Sequence, residues 1–128
     1  MSNLKQAPDA TNDVEFLNSF YNLADENFAV IRFETDGTII HANKNFCNAL
    51  GYNLDEIVGK HHSMFVDPNY TQTTEYKAFW KAIAKGEAFN KDYKRIRKDG
   101  SEIWIKALYS PVKDASGKVV SAIKIAQD

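Results

Sequence analysis

"FNKDYKRIRKDGSEIWIKALYSPVKDASGKVVSAIKIAQ", residues 89–127, is the stretch on which the fold turns. It holds three runs rich in β-branched and aromatic residues, split at Asp99-Gly100 and at Asp114–Lys118. Both breaks are turn signals, so the runs read as three antiparallel strands. Side chains of a strand alternate between two faces. On the middle run Ile103, Ile105, Ala107 and Tyr109 share one face, and Trp104, Leu108 and Val112 share the other. On the last run Ile123 and Ile125 oppose Ala122, Lys124 and Ala126. Both faces of this sheet are apolar, so both need cover.

Upstream the period changes. "TQTTEYKAFWKAIAKGE", residues 71–87, puts Tyr76, Phe79, Trp80 and Ile83 on one face of a helix stopped by Gly86. "HHSMFVDPNY", residues 61–70, is turn-rich and ends at Pro68. "NLDEIVGK" is a helical turn with Asn53 as its cap and Gly59 as its stop, and "ANKNFCNALGY" is a helix stopped by Gly51. Two further strand-like runs, near 28–34 and 38–42, flank Asp36-Gly37, a hairpin signature. In 13–24, Val14, Leu17, Phe20 and Tyr21 recur at helical spacing, as do Phe16 and Leu23, with Asp13 as the N-cap. Residues 1–12 read as a flexible lead, 13–24 as a cap helix and 25–128 as the domain proper. The order is two strands, short helices, three strands. It predicts an α+β fold: a five-stranded antiparallel sheet with short helices on one face. The N-terminal helix, through Phe16, Phe20 and Leu23, or a second protomer must then cover Trp104, Leu108, Ile123 and Ile125 on the other.

The bulk numbers narrow the function. A chain of 128 residues, 44% apolar and 26% charged, is one ordinary globular domain with a real core. Its formal charge of −1 lacks the basic excess of a nucleic-acid binder. Cys47 is the only cysteine, which excludes a disulfide framework and fits a reducing cytoplasmic compartment. No apolar run reaches membrane-spanning length, so no membrane contact is expected of this segment. No P-loop, no G-x-S-x-G and no zinc-spaced Cys/His cluster occurs, so an enzyme is not expected.

"GTIIHANKNFCNALGYNLDEIVGK" and "GEAFNKDYKRIRKDGSEIWIKALYSPVKDASGKVVSAIKIAQD" together resemble the opening and closing segments of a PAS domain, over about residues 25–128. Gly59, His62, Met64, Trp80 and Lys85-Gly86-Glu87 resemble the pattern of PAS sensors in bacterial chemotaxis and aerotaxis receptors. The resemblance implies a sensory module with a small ligand or cofactor between the inner sheet face and the helices. The candidate lining is Asn43, Phe46, His62, Phe65, Trp80, Tyr93, Arg95, Ile105, Tyr109 and Lys124. It further implies an output module beyond Asp128 or on another chain, while the two apolar sheet faces lead to the expectation of a homodimer. The other reading within the family is a ligand-free PAS domain serving dimerisation or relay.

Cofactor classes can be tested by position. Light-sensing relatives carry a reactive cysteine where this chain has His62, and Cys47 lies on an earlier helix, so adduct photochemistry is excluded. The rhizobial type of haem sensor takes its histidine from the long helix, where Thr74 stands here. What remains is b-type haem ligated by His62 or His61, non-covalently held FAD, or no cofactor. Each histidine also has a plain reading, as a helix-end cap or local hydrogen-bonding group. Trp80 reads equally as core packing. Arg95, within "KDYKRIRKDG", reads as a solvated residue near a sheet edge, with Glu87 and Asp92 as nearby acids, whereas Lys124 can point inward or outward.

Overall fold

The computed structural model describes residues 10–127. Most of the expected 1–12 lead therefore lies outside them. The chain forms α1 (Ala10–Asn27), β1 (Ala29–Phe33), β2 (Ile39–Ala42), α2 (Lys44–Leu50) and α3 (Leu54–Ile57). A 3₁₀ turn, His62–Phe65, follows, then α4 (Pro68–Thr71), α5 (Thr74–Ala84), β3 (Phe89–Ile96), β4 (Glu102–Lys113) and β5 (Val119–Gln127). The five strands make one antiparallel sheet in the order β2-β1-β5-β4-β3.

The local signals act as their chemistry dictates. Asn43 caps α2 by accepting from the Phe46 amide at 3.0 Å, and Gly51 ends it in the left-handed region at φ 83°. Glu56 reaches back to the Asn53 amide at 2.7 Å at the start of α3. Two boundaries differ from expectation. α1 begins at Ala10 and runs on to Asn27, with a kink at Asp13, where the cap was expected. Pro68 opens a helix instead of closing a turn: it sits in the first turn of α4, where its missing N–H costs nothing, and Asp67 accepts from the Asn69 amide at 2.9 Å.

The alternation of the last strands holds. Ile103, Ile105, Ala107, Tyr109, Ala122, Lys124 and Ala126 are buried under α2, α3, the 3₁₀ turn and α5, together with Ile31, Phe33, Phe46, Phe65 and Trp80. The opposite face is not closed as expected. Trp104 is 63% exposed and Leu108 50%, so α1 does not cover them. α1 lies instead toward the β1–β5 side, where Phe20 and Tyr21 line a narrow groove with Ile123 and Ile125. The physical reason is its anchorage. Asn43 Nδ2 donates to the Asp25 carbonyl at 3.1 Å and to that of Phe28 at 2.8 Å, and Asn45 Nδ2 donates to the carbonyls of Asp25, Glu26 and Phe28. These bonds hold the end of α1 beside α2, at the far side of the sheet from β4 and β3. Phe16, Phe20 and Leu23 stay largely exposed.

Candidate functional site

Tyr109 is the centre of the inner face. Its hydroxyl lies 2.8 Å from His62 Nε2 and accepts from Arg95 NH2 at 3.0 Å. His62 Nδ1 lies 2.7 Å from the Tyr76 hydroxyl, which accepts from Trp80 Nε1 at 3.4 Å. A hydrogen-bonded chain thus runs Trp80–Tyr76–His62–Tyr109–Arg95, from α5 through the 3₁₀ turn into β4 and β3. Burial first, then the charges of Arg95, Lys124 and His61, hold the His62 imidazole well below its ordinary value, so it is neutral. A neutral ring donates once and accepts once. Tyr109 is fully buried, whereas Tyr76 lines an open cleft with His61 and Trp80. The consistent assignment has Tyr109 donating to Nε2 and Nδ1–H donating to Tyr76. Burial pushes the Tyr76 and Tyr93 hydroxyls up to about 12 and raises that of Tyr109.

Two cations share this interior. Arg95 is 6% exposed and Lys124 1%. The expectation of a solvated Arg95 is overturned: β3 turns it onto the same face as Tyr93, and the guanidinium stacks 4.7 Å from that ring. Arg95 NH1 donates to the Lys94 carbonyl at 2.9 Å, and Nε has no partner. The buried Tyr93 hydroxyl has none either. Lys124 Nζ lies over the rings of Tyr109, at 5.1 Å, and Phe46, at 5.8 Å. Burial, then Arg95, holds the Lys124 amine well below its ordinary value. Among the described residues the only ion pairs are Lys94–Glu102 and Lys98–Glu56, so neither buried cation has a carboxylate. Glu87 and Asp92 face solvent.

Of the expected lining residues, the structure gathers His62, Trp80, Tyr93, Arg95, Tyr109 and Lys124 around one point. Phe46 and Phe65 form an adjoining edge-to-face pair at 5.1 Å, and Ile105 lies opposite Tyr93 across the strands. Asn43 does not belong. Its Oδ1 accepts from the amides of Val30 and Phe46 and its Nδ2 is given to Asp25 and Phe28, so every bonding position is taken by backbone. Sequence reasoning missed Tyr76, Phe33 and Phe79. Tyr76 could have been found: four residues before Trp80 on the greasy face of α5, a buried phenol needs a partner. Phe33 packs on Trp80 at 5.1 Å and Phe79 on Tyr109 at 4.9 Å, contacts no spacing announces.

The histidines do not fit an iron. Both nitrogens of His62 are bonded to tyrosines. Those of His61 are taken by the Asp36 carbonyl, at 2.8 Å, and the Ser63 amide, at 3.0 Å. His61 is the cap of the 3₁₀ turn, its plain reading. Two aromatic contacts bridge sheet and helices, Phe33 on Trp80 and Phe79 on Tyr109, and a tricyclic flavin would enter only where those rings part. Among the described residues no cluster of three His, Cys, Asp or Glu side chains could hold a metal, and no helix is long and apolar enough to cross a membrane.

A family model described as the PAS fold matches residues 39–126. The chain is a PAS domain. Over 104 residues, 81% of its length, it is 40% identical to a biofilm dispersion protein of Pseudomonas aeruginosa, of which it covers 25%. Over 90 residues, 70% of its length, it is 30% identical to an aerotaxis receptor of Escherichia coli, of which it covers 18%. The PAS domain therefore spans a quarter or less of either relative. In fold it matches a PAS domain from Colwellia psychrerythraea with a TM-score of 0.74, at 22% identity, over 88% of this chain and 96% of that one.

Proposed function

We propose that this PAS domain is the sensor of a bacterial signalling protein of the chemotaxis or aerotaxis kind, converting the state of a small ligand on the inner sheet face into a change at the outer face. The observation that carries the reading is the buried chain from Trp80 to Arg95. It ties α5 and the 3₁₀ turn to two strands whose other side is exposed. Anything that breaks a link must re-pair a buried hydroxyl or imidazole, and packed interiors answer such changes by switching between discrete packings. No bond of a substrate is made or broken. The outer face, with Trp104 and Leu108 uncovered, is the side that a second copy or an output module would read. The sequence resemblance to receptor sensors supports this direction of relay.

The test is His62→Gln followed by backbone amide spectra. Gln can replace one imidazole contact but not both. The expected result is altered shifts at Trp104, Leu108 and Ile125 and onward at Phe20 and Leu23 of α1. Changes confined to the residues touching position 62 would sink the relay. An absorption spectrum of the purified protein bears on the occupant: a Soret band or flavin bands would overturn the fit argument against haem or flavin.

A further inference from the structure

Resting on that sensor reading, we propose that the inner sheet face binds a small organic carboxylate between Arg95 and Lys124. The interior holds a guanidinium and a lysine amine and, among the described residues, no acid to pair with either. A buried charge without a counter-charge is a cost that a fold carries for a reason or relieves with a ligand. Two donors nearby are also unspent: Arg95 Nε and the Tyr93 hydroxyl, both buried and without partners. They belong to one stacked pair, with the guanidinium 4.7 Å from the Tyr93 ring. Lys124 approaches from β5, its Nζ 5.1 Å over the ring of Tyr109. A carboxylate accepts from a guanidinium edge, a hydroxyl and an ammonium at once.

The surroundings narrow the class. Phe46, Phe79 and Tyr109 are apolar walls, which suit a ligand with a short carbon body. Phosphate carries more charge and more oxygens than three donors can satisfy. Tyr93 is half-buried, so turning it outward opens a route without unfolding a strand. Binding would draw Arg95 off the Tyr109 hydroxyl, which is a link of the buried chain, and this connects occupancy to the switch.

The experiment is thermal unfolding of the chain at constant ionic strength with sodium propionate, sodium succinate, neutral propionamide and sodium phosphate. The expected result is a concentration-dependent rise in midpoint with propionate or succinate, absent with propionamide and smaller with phosphate. Lys124→Met, which removes the charge and leaves an unbranched chain one atom shorter, should fold normally and weaken the carboxylate effect at least tenfold; Arg95→Gln should do the same. If Arg95→Gln does not fold, Lys124→Met decides alone. No carboxylate-specific rise, a rise that survives Lys124→Met, or a larger rise with phosphate would each overturn the assignment. The relay reading fails separately. Loss of carboxylate binding with intact propagation from His62→Gln removes only the ligand class. Carboxylate binding with unmoved Trp104 and Leu108 amides removes only the relay.

Discussion

Tyr109 and Tyr76 hold opposite ends of the same imidazole, yet they should differ in worth. Tyr109→Phe strips a fully buried hydroxyl that serves both His62 and Arg95, and leaves each with an unmet group. Such orphaning costs about 1–3 kcal/mol per group, so the expected loss in chemical denaturation is about 3 kcal/mol. Tyr76→Phe removes the acceptor of His62 Nδ1–H and only a long, 3.4 Å bond from Trp80 Nε1, and should cost about 1–2 kcal/mol. Equal losses would contradict the tautomer assigned to His62. The pH profile follows from the same residues. His62 is held below its ordinary 6.5 by burial, Arg95, Lys124 and His61. Between its folded value and 6.5 the unfolded chain binds a proton that the folded chain does not. Its contribution is therefore complete above 6.5 and is lost as pH falls through the folded value. Lys124, held below 10.5, acts with the same sign over a higher window that closes at 10.5. Tyr76 and Tyr93, up at about 12, act oppositely: above their ordinary 10.0 the unfolded phenols ionise first. Stability measured by urea unfolding should climb from acid toward pH 10, by up to about 1.4 kcal/mol per unit for each titrating group, and then fall. Lys124→Met should flatten the alkaline part of the climb. A profile highest near pH 6 would contradict the buried, unpaired cation.

Among the elements, α1 is attached least firmly, and one side chain decides how. Asn43 is both the cap of α2 and, through Nδ2, a tether on the Asp25 and Phe28 carbonyls at the end of α1. Asn43→Asp keeps the accepting oxygen for Phe46 and Val30 and discards the donor. It should leave α2 intact, cost about 1–2 kcal/mol, and raise amide exchange through Leu17–Asp25. Asn43→Ala loses the cap as well and should cost about 1 kcal/mol more. Unchanged exchange in α1 after Asn43→Asp would mean that Asn45 alone holds the helix. The stop at Gly51 was legible because it is local, whereas Asn43 read as a pocket residue and only the structure shows it as the cap. The tether was not legible, since it joins residues 15 to 18 positions apart through a turn of the chain.

For the whole molecule, the open outer face is the feature with consequences. Trp104 and Leu108 stand in water, and Phe16 and Phe20 of α1 are exposed as well. The partner we propose for this face is a second copy of the chain, which would offer matching apolar surface. Sedimentation should show concentration-dependent dimers, and Leu108→Lys should abolish them with less than about 0.5 kcal/mol change in the stability of the monomer, as for an ordinary surface substitution. A monomer at all concentrations, or a dimer indifferent to Leu108→Lys, would remove this face from the interface. The alternation in β4 and β5 had already marked which residues share it. It could not say that α1 would stop short of them, because the position of α1 depends on its anchorage to α2.

Local chemistry alone was enough for the order of strands and helices, the hairpin at Asp36-Gly37, the stop at Gly51 and the two faces of the last strands. Those features depend on backbone geometry and on a period of two or of three to four residues, which the chain carries in its own spelling. Tertiary structure alone decided that Arg95 goes inside, that His62 spends both nitrogens on tyrosines from α5 and β4, and that two cations share one interior without an acid. Each of these depends on strands and helices far apart in the chain meeting around Tyr109. Burial changes the energy of a charge or a hydroxyl far more than any neighbour in sequence does.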